Sequence, residues 1–141
     1  TLPRLSPGSA APDISLTLAD GSGKQLHEIK GQPILLVFYR IGQKGMEREF
    51  DILSEMFSSY KAGLEIISIS MDDEGGPAFS VFGAKYPWTF AHYGNRPEVY
   101  DRYNIRNLPL YVLINAEGNI AACPAPGPGD ELEREVMKVM H

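Results

Sequence analysis

Ile34-Leu35-Leu36-Val37-Phe38-Tyr39-Arg40-Ile41-Gly42-Gln43-Lys44-Gly45-Met46-Glu47-Arg48-Glu49-Phe50 decides the fold. It begins with six apolar or aromatic residues that do not alternate with polar ones. Such a run predicts a strand covered on both faces, as in the middle of a sheet. A short turn with two glycines follows. From Glu47 to Tyr60 the apolar residues Phe50, Leu53, Met56, Phe57 and Tyr60 recur three and four apart, the spacing of one helix face. Lys61-Ala62-Gly63 closes that helix, with Gly63 suited to a left-handed end.

The flanking segments read as supports of this strand–turn–helix unit. Thr1 to Pro12 is a Pro-, Ser- and Gly-rich lead-in. Ile14 to Leu18 alternates with period two, Asp20-Gly21-Ser22-Gly23 turns, and Lys24-Gln25-Leu26 returns, which predicts a hairpin. His27 to Gly31 predicts a helical turn. Leu64 to Met71 is a second long β-branched strand. Gly75-Gly76-Pro77 opens a helix carrying Phe79, Phe82 and Tyr86. Pro87 to Phe90 reads as a short extended piece, and Pro97 to Tyr103 as a short helix. Leu110 to Ile114 is a third apolar strand. Asn115 to Gly118 turns, Asn119 to Ala122 returns, Pro124 to Gly129 is a loop, and Asp130 caps a helix over Glu131 to Met140. The order strand–helix–strand, then hairpin, then helix predicts an α/β fold. It has a mixed central sheet, helices on both faces and an N-terminal β-hairpin extension, with a right-handed crossover between the first two long strands.

Composition bounds the function. The chain has 141 residues, 43% apolar and 22% charged, so one ordinary globular domain over residues 1–141 is expected, with residues 1–12 as lead-in. Thirteen Lys and Arg against eighteen Asp and Glu give a net charge of −5, and no basic run suggests nucleic-acid binding. No stretch approaches the ~18 apolar residues of a membrane span. The first residue is Thr1, which points to a processed product or an excised piece of a longer polypeptide. The histidines at 27, 92 and 141 lack metal-ligand spacing and read as surface residues, so no metal and no cofactor are expected. Asp72-Asp73-Glu74 reads as a solvated strand end rather than a cation loop. Trp88, with Tyr86, Phe90 and Tyr93, reads as core before groove. Arg40, Lys44 and Arg48 make the central turn locally basic.

The order and local signals resemble the thioredoxin fold, and within it the TlpA/ResA-like and AhpC/TSA-like branch. The resemblance rests on Ala11-Pro12-Asp13-Ile14-Ser15-Leu16 with Asp20-Gly21, on Gly31-Gln32-Pro33 before the central strand, and on Ile67 to Asp72. It also rests on Tyr100 to Pro109 and on Leu113 to Ile120. It implies a cis-proline at Pro109, with Leu108 offering its backbone to an extended peptide. It also implies Trp-Cys-x-x-Cys after the central strand, with the helix starting at the first cysteine. Counted from Phe38-Tyr39, those five positions fall on Gly42, Gln43, Lys44, Gly45 and Met46. The cysteine positions hold Gln43 and Met46, and the family's buried acid position holds Val37. Dithiol exchange needs an attacking thiolate and a resolving thiol. Gln43 cannot ionise and Met46 has no S–H.

The resemblance therefore implies a thioredoxin-like domain without its dithiol, acting as a peptide- or partner-binding or structural module. Its expected groove is Gly42, Gln43, Lys44, Gly45, Met46, Leu108 and Pro109, with unpaired helix N–H groups at Gln43 to Met46. A bacterial cell-envelope setting is a further family expectation, as is a place at the C-terminus of a longer chain. Cys123 is the only thiol. A simple hairpin register sets it opposite Leu110, near the cis-proline. It is read either as a relocated reactive thiol, making this a monothiol redox protein, or as a packed small residue. A disulfide between two chains is a third option.

Overall fold

The computed structural model describes residues 5–29, 31–58, 63–73 and 82–140. Within them the elements follow in the order β1 (Ser15–Leu18), β2 (Gly23–Gln25), a 3-10 turn (Leu26–Glu28), β3 (Ile34–Tyr39), α1 (Met46–Phe57), β4 (Glu65–Ser70) and β5 (Thr89–His92). Then come α2 (Glu98–Arg102), β6 (Leu110–Ile114), β7 (Ile120–Ala125) and α3 (Asp130–Val139). The expected helix opening at Gly75 to Pro77, with Phe79, lies outside the described residues. So do Tyr60, Lys61 and Ala62 at the expected end of the central helix, and Glu74 and His141.

The seven strands form one mixed sheet in the order β2-β1-β5-β4-β3-β6-β7. β3 pairs parallel with β4 and antiparallel with β6, so the non-alternating run Ile34 to Tyr39 is buried at every position. Its odd and even residues feed separate cores. Leu35, Val37 and Tyr39 face α1 and α3, meeting Phe50, Leu53, Leu132 and Val136. Leu36 and Phe38 face the other side, with Val99 and Tyr103 of the α2 region and Leu16 of β1. Helices therefore cover both faces, as the sequence predicts. Each fully buried aliphatic side chain here contributes about 1.5–3 kcal/mol, which is why this strand anchors the unit.

Phe50 is the hub of the α1 side. Its ring meets Tyr39, Phe82, Tyr86, Trp88 and Phe90 with centroids 5.0–5.9 Å apart, mostly edge-on. The Tyr86–Trp88–Phe90 group is thus core beneath α1. Trp88 stays partly exposed, and its Nε1–H donates to Ser68 Oγ at 2.9 Å. Tyr93 belongs to the opposite core.

Several expectations change. The extended piece at Pro87 to Phe90 is a true strand, β5, lying parallel to β4 and antiparallel to β1. It joins the N-terminal hairpin to the sheet. This also buries His92, which is 6% exposed rather than a surface residue. Its Nδ1 accepts from the Gly94 N–H at 3.0 Å, so Nε2 carries the proton toward the Asp72 carbonyl, 2.5 Å away. The last strand runs on to Ala125 instead of stopping at Ala122. Its register slips twice against β6, so Ala122 pairs with Leu113 and Ala125 with Tyr111. The two residues between, Cys123 and Pro124, sit in a bulge of an edge strand, where proline is tolerated. α3 starts at Asp130 itself, and the capping position is Gly129, without a side-chain cap bond. The lead-in is ordered where it is described: Gly8 N–H donates to Ile120 O at 2.8 Å and Ala11 N–H to Gly118 O at 3.0 Å.

Candidate functional site

β3 delivers the chain to the edge of the sheet at Arg40, and α1 begins only at Met46. Between them the backbone makes two closed turns. Gln43 N–H donates to Arg40 O at 3.1 Å, and Met46 N–H to Gln43 O at 3.3 Å. The helix thus starts one turn later than a start at Gln43 would give, and the Gln43 and Met46 N–H groups are paired rather than free. Gly45 has φ +84°, a conformation that L side chains resist, and this reversal lets the turn enter α1. Met46 is 1% exposed, its side chain part of the core around Phe50. Gln43, Lys44, Gly42 and Gly45 remain at least partly exposed.

Asp72 holds this turn from the next strand. Its Oδ2 accepts from Ile41 N–H at 2.9 Å and from Ser70 Oγ–H at 2.7 Å. The expectation of a solvated acidic strand end is therefore corrected for Asp72. The parallel pairing Tyr39↔Ser70 sets Asp72 beside Ile41. Asp72's charge, second to burial, also pushes the Tyr39 hydroxyl well above the usual phenol range. Among the described residues that buried hydroxyl has no hydrogen-bond partner.

Across from the turn, the Leu108–Pro109 bond is cis. The Gln43 side chain spans the gap, its Nε2 donating to the Leu108 carbonyl. Gln43 Oε1 is buried and has no partner among the described residues. Beside this bridge a cavity of about 490 Å³ stays open, lined by Arg40, Gly42, Gln43, Asp72, Tyr100 and the segment Ile105 to Leu108. Arg40 Nη2–H donates to Tyr100 Oη at 3.1 Å, and both residues line it. Of the expected groove residues, Gly42, Gln43 and Leu108 line this cavity, and Pro109 does not. Lys44 and Gly45 lie on the exposed turn beside it, and Met46 turns into the core.

Cys123 stands apart. Its position between Ala122 and Ala125 moves it two residues farther along β6 from Pro109 than a simple hairpin register gives. Its bond to Pro124 is also cis. The thiol is partly buried against the core that holds Tyr103 and Val112, and burial pushes its pKa up. Among the described residues no group of three or more His, Cys, Asp or Glu is disposed to hold a metal ion, and no helix is long and apolar enough to cross a membrane.

A family model described as thioredoxin-like matches residues 31–120, from the approach to β3 through the start of β7. The chain belongs to the thioredoxin-like family. A curated relative, the thiol-disulfide oxidoreductase ResA of Geobacillus kaustophilus, is 32% identical over 117 residues, covering 80% of this chain and 66% of the relative. The chain thus spans just under two-thirds of that protein's length. Among solved structures, the thioredoxin domain of a Bacteroides vulgatus thiol-disulfide oxidoreductase aligns at TM-score 0.83 with 25% identity, over 98% of this chain and all of that one. A second Bacteroides vulgatus structure shares the fold at TM-score 0.87 with 23% identity, over 96% and 98% of the two chains. This thioredoxin-like chain is therefore akin to thiol-disulfide oxidoreductases of the ResA/TlpA type, and it carries a single cysteine.

Proposed function

We propose that this thioredoxin-like domain has lost dithiol exchange and uses the groove between the turn and the Leu108–Pro109 segment to hold an extended peptide of a partner without covalent chemistry. The observation that carries this reading is the pairing of an open groove with a thiol-free turn. Gln43 and Met46 stand where the family's cysteines are expected. One side chain is hydrogen-bonded to Leu108 O and the other is sealed in the core. Neither can supply a thiolate or resolve a mixed disulfide. The cavity beside them is lined by polar side chains together with apolar Ile105 and Leu108, a mixture suited to an extended chain. The monothiol alternative draws no support from Cys123, whose raised pKa keeps it in the unreactive thiol form. We further infer, from family likeness alone, one domain over residues 1–141 and a bacterial cell-envelope setting within a longer polypeptide.

The test uses a partner that offers extended chain but no free thiol, reduced and S-carboxamidomethylated α-lactalbumin. Titrated into nitrogen-15-labelled protein, it should shift the amide resonances of Gly42 to Met46 and Arg106 to Leu108 together. Shifts scattered over the surface, or none, would sink the proposal.

A further inference from the structure

The groove is electrostatically unlike the rest of the chain. The protein carries a net charge of −5, yet the cavity beside the turn is walled by two guanidinium groups, Arg40 and Arg106, with Lys44 exposed on the turn next to it. Among the described residues none of these three cations forms an ion pair; the ion pairs there join His27 to Asp13, Lys85 to Glu47 and Asp51, and Lys138 to Glu135. Arg40 gives one N–H to the neutral Tyr100 hydroxyl, and Arg106 gives its Nε–H to the neutral Asn104 amide oxygen. A guanidinium has five N–H donors, so both keep donors in hand. The one carboxylate that lines the cavity among the described residues, Asp72, accepts from Ile41 N–H and Ser70 Oγ–H and also acts on the charge of Arg40 without forming an ion pair with it. Asp73, exposed nearby, tempers the charge of Arg40 without pairing to it.

We propose that this groove selects acidic peptide. The occupant is an extended segment whose Asp or Glu side chains, on either side of the stretch lying along Leu108–Pro109, meet Arg40 and Arg106. The inference rests on the peptide-binding reading above and adds the class of peptide. Guanidinium–carboxylate contacts are charge-assisted and often bidentate, which suits arginine better than lysine at both walls.

Calorimetric titration of the protein with three acetylated, amidated peptides tests this. They share one unstructured sequence and differ only in whether two flanking positions are Glu, Gln or Lys. The Glu peptide should bind at least about tenfold tighter than the Gln peptide, and the Lys peptide weakest. Raising the salt from about 50 to about 500 mM should erode both the Glu peptide's advantage and the Lys peptide's disadvantage, leaving the Gln peptide least changed. Arg40→Gln with Arg106→Gln should bring the Glu-peptide affinity down to the value the same variant shows for the Gln peptide. Because Arg106 is exposed, Arg106→Glu folds independently of any effect at Arg40, and it should shift the preference toward the Lys peptide. Equal binding of all three peptides overturns acidic selectivity and leaves the groove reading intact. Binding of none overturns both.

Discussion

Among the described residues two X–Pro bonds are cis, Leu108–Pro109 just before β6 and Cys123–Pro124 in the bulge near the end of β7, and they serve unlike surroundings. The first faces the end of β3, where the turn Arg40 to Met46 and an open cavity present backbone groups and cations to solvent. The second follows the only thiol, held in an edge-strand bulge against the core. One region has the geometry of display without a nucleophile. The other has a nucleophilic atom without the display. Redox chemistry of the thioredoxin kind needs both in one place: a thiol, a lowered pKa and access. Their separation is the physical basis for reading this domain as a binder.

The comparison can be broken most forcefully from beneath the turn. Phe50 supports α1 through five aromatic contacts, so Phe50→Ala should cost about 3–5 kcal/mol in urea unfolding and take groove binding with it. A loss under about 1 kcal/mol would mean that α1 does not position the turn. Gly45→Ala tests the turn itself. A Cβ there meets open space, so the cost comes from the left-handed backbone and should be about 1–2 kcal/mol by the same measurement. Removing the bridge by Gln43→Ala should cost about 0.5–1.5 kcal/mol, the net worth of one hydrogen bond. At the other region, Cys123→Ala should change stability by less than about 1 kcal/mol, since the side chain is small and only partly buried.

The smallest effect sharpens the contrast through pH. Burial raises the Cys123 pKa above that of a free thiol, so folding favours the protonated thiol. That contribution to stability is fully present below the unfolded thiol's pKa and disappears as pH rises through the raised value. Alkylation by iodoacetamide should accordingly be slower than that of free cysteine at neutral pH, with its rate profile displaced to higher pH. A thiol that reacts faster than free cysteine at pH 7 would restore the monothiol reading.

Much of this was legible in the sequence because it is local. The unbroken apolar run Ile34 to Tyr39 announces a strand buried on both faces. The three-and-four spacing of Phe50, Leu53 and Phe57 announces the helix that packs on it. What escaped depends on partners far along the chain. β5 is four residues ending in a histidine, too short and too polar to stand out until β4 and β1 flank it. Asp72 finds Ile41 across 31 residues only through the parallel register, and Gln43 finds Leu108 across 65. The position of Cys123 turned on a bulge at Cys123–Pro124, and a two-for-one slip has no period to betray it. The open groove follows from the same long-range contacts, so the sequence could name its residues but not which of them line it.

Insulin reduction driven by dithiothreitol reads out whether the domain retains dithiol exchange. The intact protein should leave the onset and rate of turbidity equal to those of dithiothreitol alone. A clear acceleration by the wild-type chain would contradict the account, because no thiol stands in the turn that the fold displays.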